Sequence, residues 1–366
     1  MRRVAVVALL LCSAVTVGAQ KPARFGAGMA GGDHLMYIGT YAGNIQIFDE
    51  RTETMVGEIK LKTGIPRSLT LSQSRRKFYV LNSTYEQIEI IDIASRSTLS
   101  SFTLSEGNKK VRVRSMQVDP LERFLLLLTR SATKQIDRWE IGEVELQMYD
   151  LKENKITRSI PWPRGEQREN LNVRFSPDGK LLYFFGDDVL IVETTNFTEV
   201  DTWALSRPLE PGLGRMNFGA SDDFNEEPGF FTGIFTVQDP VHNRRIMGLG
   251  RVNLVAKSVD FTPLGPAEGM NGFALTPDRK RGYGLLQQIG RFEFWAFDVE
   301  QRRLLNRTPF DGRPRMGLRV SSNGRLIYIY VAGATIDVYD AASYKKLRTI
   351  EMNADQTTSL FVLPRT

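Results

Sequence analysis

Arginine recurs at one place in the sequence's internal rhythm. Arg67 stands five residues before Ser72, Arg114 five before Asp119 and Arg315 six before Ser321, and each of these later residues opens a short polar turn. Asn170 and Asn271 hold the same place before Ser176 and Thr276, Arg215 matches it in a less regular stretch, and Thr357 or Thr358 does so near the end of the sequence. The planar guanidinium fork suits bidentate binding of a carboxylate or phosphate. Four arginines and two asparagines around one mouth would make a small-anion site, or a docking ring for an acidic protein partner. The same side chains serve equally well to tie neighbouring loops together through carbonyls and carboxylates. The sequence leaves both readings open.

Other candidates are sparser. Trp139 lies in a long insert, residues 130–142 (RSATKQIDRWEIG), flanked by Arg138 and Glu140. An aromatic surrounded by charge suits an interface hot spot, and equally a loop that folds its tryptophan onto its own sheet. His242 with Asp239, in the insert 238–245 (QDPVHNRR), has the composition of an acid–base pair, but no serine or cysteine nucleophile is recognisable beside it. Asp187 and Asp188 offer two carboxylates, too few for a calcium site by themselves. No catalytic residue is assigned.

Composition narrows the chemistry. The 366 residues include one cysteine, Cys12, and two histidines, His34 and His242. That excludes thiolate-bound zinc, iron–sulfur or haem centres and leaves too few ligands for a multi-histidine site, so neither a metal nor a cofactor is expected. The net charge is +6, or +4 without Arg2 and Arg3, and the basic residues are scattered. A mixed, solvated surface is expected rather than a nucleic-acid-binding one. The first residues, MRRVAVVALLLCSAVTVGAQ, combine a basic start, an apolar run and a small-residue Val17-Gly18-Ala19 end. They read as a signal peptide over 1–19, implying a periplasmic or secreted protein. Residues 20–34 read as a flexible leader. No stretch is long and apolar enough for a spanning helix.

The elements that would position these residues repeat. Asn172 to Leu205 contains a short apolar run, a Ser-Pro-Asp-Gly turn, a second run, a polar break, and a third and fourth run. Four strands with tight turns in about forty residues make one propeller blade. Seven residues after the turn-opening Ser72, Asp119, Ser176, Thr276 and Ser321 come Tyr79, Leu126, Tyr183, Tyr283 and Tyr328, which read as packing between blades. The interval between Tyr183 and Tyr283 is twice the others and must hold a degenerate unit, with its turn swollen to SDDFNEEPG. Asp49, Asp92, Asp150, Asp298 and Asp340 end the third strand of five units, and such regularity points to turn capping rather than catalysis. The first unit has three strands, and TTSLFVLP at 357–364 supplies a fourth. The fold expected over 35–366 is therefore all-β: a single seven-bladed β-propeller of four-stranded antiparallel blades, its ring closed by the C-terminal strand pairing with the N-terminal three.

The SPDGKLLYF and IDVYD patterns resemble the YVTN-type repeats of secreted prokaryotic propellers, over residues 35–364. They are also similar to the propeller (β) subunit of quinohemoprotein amine dehydrogenase, a family in which the propeller is a scaffold and a partner subunit carries the redox cofactor. MYIGTY at 36–41 resembles the opening of phosphogluconolactonase-type propeller lactonases, but GNIQIFD then departs from their pattern. Together these imply an exported, non-catalytic scaffold or binding module for a protein partner or small anionic ligand. The alternatives are a lactonase-like hydrolase and a dehydrogenase subunit. The residues put forward for binding are Arg67, Arg114, Arg215, Arg315, Asn170, Asn271 and Trp139.

Overall fold

The computed structural model describes residues 30–205 and 212–365. The expected signal peptide and most of the leader lie outside them. Seven antiparallel four-stranded sheets form a ring, and the short 3-10 turn Pro163–Gly165 is the one helical element among the described residues. In blade II, the strands Pro66–Leu71, Lys77–Asn82, Gln87–Asp92 and Ser97–Thr103 pair in order from axis to rim.

Packing between blades explains the composition of the second strands. Phe78 and Val80 join Tyr37, Ile45 and Ile47 of blade I, whereas Tyr79 and Leu81 join Val113, Leu125 and Leu127 of blade III. A strand buried on both faces reads as a continuous apolar run rather than an alternating one. Tyr79, Tyr183, Tyr283 and Tyr328 are all fully buried at the expected interblade positions, as is Leu126.

The turn between the first two strands is built by its opening residue. The hydroxyl oxygens of Ser72, Ser176, Thr276 and Ser321 accept the backbone N–H five residues on, at 3.1, 2.9, 3.0 and 2.9 Å. The fourth turn position is left-handed, with φ of 67° at Gly179 and 71° at Gly324, which glycine adopts without strain. The acids that end the third strands do what their recurrence implied. Asp49, Asp92, Asp150, Asp298 and Asp340 each accept one or two backbone N–H groups of the turn that follows.

The ring closes as expected. Phe361–Leu363 pairs with Leu35–Gly39, with Leu363 opposite Leu35 and Phe361 opposite Tyr37. Residues 30–34 continue away from that strand against blade VII. Asn323 donates to the carbonyls of Gly31 and Ala30, and the amide of His34 donates to Glu50. Glu50 is buried where blades VII and I meet and also accepts from the Ser322 amide and the Tyr328 hydroxyl; burial raises its pKa.

Blade V is the degenerate unit. Its first strand is split into Met216–Asn217 and Ser221–Asp222, both paired with Phe230–Asp239. Its swollen turn reaches across the axis. Asp222 accepts from the Leu275 amide of blade VI and from Arg319 of blade VII, Arg174 of blade IV pairs with Asp223, and the Phe224 ring lies between Arg75 of blade II and Arg319.

Candidate partner-binding cleft

Blade III is taller than its neighbour. Its second strand, Phe124–Lys134, has 11 residues, and the second strand of blade IV, Leu181–Phe185, has 5. At about 3.3 Å per residue, the extra six residues carry blade III roughly 20 Å further toward the upper face, where the linkers into each first strand lie. The first strand, Lys109–Val118, and the third, Trp139–Asp150, extend with it. The insert 130–142 is therefore not the loop the sequence suggested. It is the top of a hairpin turning at 135–138, and Trp139 sits on a strand opposite Lys134. The period-2 alternation in KKVRVR and RSATK carries that information, but it is brief and polar.

Register decides which side chains meet. Lys110, Ala132 and Ile141 lie in one row across the three strands, and Arg112 lies opposite Arg130. Directly opposed residues in antiparallel strands share a face. Even-numbered positions of the second strand, beginning with Phe124 and Leu126, face the core shared with blade IV. Above the point where blade IV stops, the linker between the two blades reaches this face through Gln167, at Val144, and Glu169, at Arg130, and the rows beyond them are exposed. What emerges is a cationic surface bearing Trp139 and Ile141, which are 50% and 59% exposed. A cavity of about 770 Å³ opens there, walled by Arg112, Arg114, Arg130, Trp139, Ile141 and Asn170.

The cleft's charges are only partly balanced. Glu169 lies 2.6 Å from Arg114 and 3.8 Å from Arg130, and Glu86 lies 3.5 Å from Lys110. Arg112 is exposed and has no carboxylate partner among the described residues. Tyr85, also on the wall, accepts a 2.7 Å hydrogen bond from Arg67, and its carbonyl takes the amide of Val113.

Of the residues put forward from sequence, Arg114, Asn170 and Trp139 thus share one cleft, and Arg67 is joined to it through Tyr85. The others stand elsewhere. Arg215 is paired with Asp187 at 2.5 Å, which engages one of the two acids considered for a cation. Asn271 accepts the amide of Gln287 within blade VI. Arg315 is exposed ahead of the first strand of blade VII, with φ at 64°. Sequence reasoning missed Lys110, Arg112, Arg130 and Ile141. Their signal is visible only once the strands are known to be longer than the blade repeat.

His242 is an exposed turn residue. Its Nδ1 lies 2.8 Å from Asp239, whose carboxylate also accepts the amides of Val241 and His242. Asp239 thus caps the turn. No group of three potential metal-ligating side chains occurs among the described residues. A second cavity of about 770 Å³ lies toward the lower face and is walled in part by Arg174, Arg319, Asp222 and Phe224. Its arginines are engaged by Asp223, Asp222 and the Phe224 carbonyl.

No protein-family model matches the sequence, and no curated protein matches it. Solved structures do. The chain is similar to apo AztD from Citrobacter koseri at 14% identity and a TM-score of 0.51, over 90% of this chain and 98% of that one. It is similar to the β-propeller domain of Cps50 (Swd1) from Myceliophteria thermophila at 12% identity and a TM-score of 0.53, over 84% and 91%. A third likeness is to dihydro-heme d1 dehydrogenase NirN in complex with DHE, at 12% identity and a TM-score of 0.52, over 94% and 77%. At these identities the likeness shows a shared β-propeller fold and no shared activity, since one fold hosts many functions.

Proposed function

We propose that this protein is an exported, non-catalytic β-propeller that binds a protein partner through the cleft at the top of blade III. The partner supplies an acidic segment with an apolar residue. One observation carries this reading: the uncovered sheet face that sets Lys110, Arg112 and Arg130 beside exposed Trp139 and Ile141. Aromatic and arginine side chains dominate binding hot spots, and opposite charge orients the approach. The resemblance of the repeats to secreted propellers that act as scaffolds agrees with it, as does the signal-like sequence of residues 1–19.

The test is selection of linear peptides from a displayed library on the purified protein, with counter-selection on the Arg112→Glu/Trp139→Ala variant. Enrichment of acidic sequences carrying an apolar residue supports the cleft. No enrichment, or equal retention by the variant, would falsify it.

A further inference from the structure

The two carboxylates of the cleft invite comparison with carboxylates that hold the fold together. Glu89 is fully buried and accepts from Lys62, Thr63 and Thr98, so its setting is structural. Glu169 is different. It belongs to the linker between Ile160 and Val173, its side chain is 60% exposed, and its polar contacts in the fold are Arg114 and Arg130. Those arginines are themselves 38% and 39% exposed. Glu169 is thus an acidic side chain on a non-repetitive segment, lying against a cationic cleft. Those are the features assigned above to the partner.

We propose that Arg114 and Arg130 form the carboxylate subsite of the cleft, and that Glu169 is its intramolecular occupant, displaced when the partner's acidic side chain arrives. The inference rests on the cleft being the partner site. An exposed ion pair contributes little net stability and is screened by salt, so leaving it costs Glu169 little. Exchange of one carboxylate for another is nearly neutral at the arginines themselves. Affinity must then come from what Glu169 lacks, namely apolar contact with Trp139 and Ile141 and the unpaired charge of Arg112. A simple anion such as acetate gains nothing by the exchange and is kept out, whereas an acidic segment with an apolar residue gains on both counts. Glu169 therefore selects for the longer ligand and holds two guanidiniums in place until it binds.

The experiment uses a fluorescent acidic peptide from the selection above, titrated into the wild-type protein, Glu169→Gln, Arg114→Ala/Arg130→Ala, and the triple combination. Removing the internal competitor is expected to tighten binding by about two- to fivefold. The arginine double variant is expected to bind more weakly than wild type, and Glu169→Gln to have no further effect in that background. Glu169→Ser, assayed alongside and checked for an unchanged melting temperature, separates competition from a folding defect. Equal or weaker binding by both Glu169 variants overturns the displacement and leaves the cleft standing. Tighter binding by both Glu169 variants, lost in the arginine double variant, supports both proposals, and unchanged binding by the arginine double variant overturns the subsite.

Discussion

Val362 lies directly opposite Met36 in the closing sheet, so residues from the two ends of the sequence share one ladder. Leu360, Val362 and Leu363 are 0%, 4% and 2% exposed. At about 1.5–3 kcal/mol for each buried side chain, they contribute on the order of 5 kcal/mol, beyond the backbone bonds. Deleting residues 356–366 should lower the melting temperature by about 7 °C or more. An unchanged melting temperature would show that blade I does not need its fourth strand.

Glu89 joins the linker after blade I to blade II through the amides of Lys62 and Thr63 and the hydroxyls of Thr63 and Thr98. Replacing it with alanine strands these donors and should cost about 2–4 kcal/mol. Glu89→Gln, which keeps one acceptor, should cost less. Chemical denaturation of the two variants ranks them, and equal losses would argue against the hydrogen bonds as the cause.

Asp222 and Arg319 are paired in the cavity toward the lower face, with side chains 4% and 13% exposed. Removing one member of a buried pair costs about 3–5 kcal/mol, because the other charge is left uncompensated. Asp222→Ala should therefore be strongly destabilising, and Asp222→Ala/Arg319→Met should recover part of the loss. A double variant less stable than the single one would refute that account.

Glu293 should contribute to the acid sensitivity of blade VI. Hydrogen bonds from Arg291, then from Trp295 and Arg307, outweigh burial and hold its pKa at about 2 instead of the usual 4.5. A depressed carboxyl pKa contributes stability that is complete above the unfolded value and is lost as the pH falls through the folded one. That contribution should fade from about pH 4.5 to about pH 2. Glu293→Gln should flatten the melting temperature against pH across this window, and curves parallel to wild type would show that the group does not contribute.

Trp139 and Arg112 should be neutral for folding. Both are exposed, at 50% for Trp139, and neither side chain makes a hydrogen bond or ion pair with another described residue. Trp139→Ala and Arg112→Glu should each change stability by less than about 0.5 kcal/mol while abolishing or weakening peptide binding. A large fall in melting temperature for either would return that residue to a structural role.

Much of the scaffold was legible in the sequence because each turn carries its own chemistry. Ser176, Asp178 and Gly179 need only their near neighbours to form the Ser-Pro-Asp-Gly turn. Tyr183 follows at a fixed distance because a strand rises evenly per residue. Even the orphan strand at 357–364 could be placed, since a three-stranded first blade leaves one edge unpaired. The cleft was less legible. Arg114 and Asn170 were marked by their place in the repeat, and Trp139 by its type, but nothing local told that they meet. Arg112 and Ile141 were missed, because their shared face depends on pairing between separate strands.

Period, turn chemistry and hydrophobic pattern are local properties, and by themselves they determined an all-β ring of seven blades closed between its two ends. The tertiary structure decided which blade stands taller than its neighbour, and hence which face of Lys109–Val118, Phe124–Lys134 and Trp139–Asp150 goes uncovered. It also decided that Arg215 is engaged by Asp187 whereas Arg112 has no such partner among the described residues. The physical reason is range. A turn is set by residues a few positions apart, whereas the pairing of charges and the exposure of a sheet face depend on where a neighbouring blade ends.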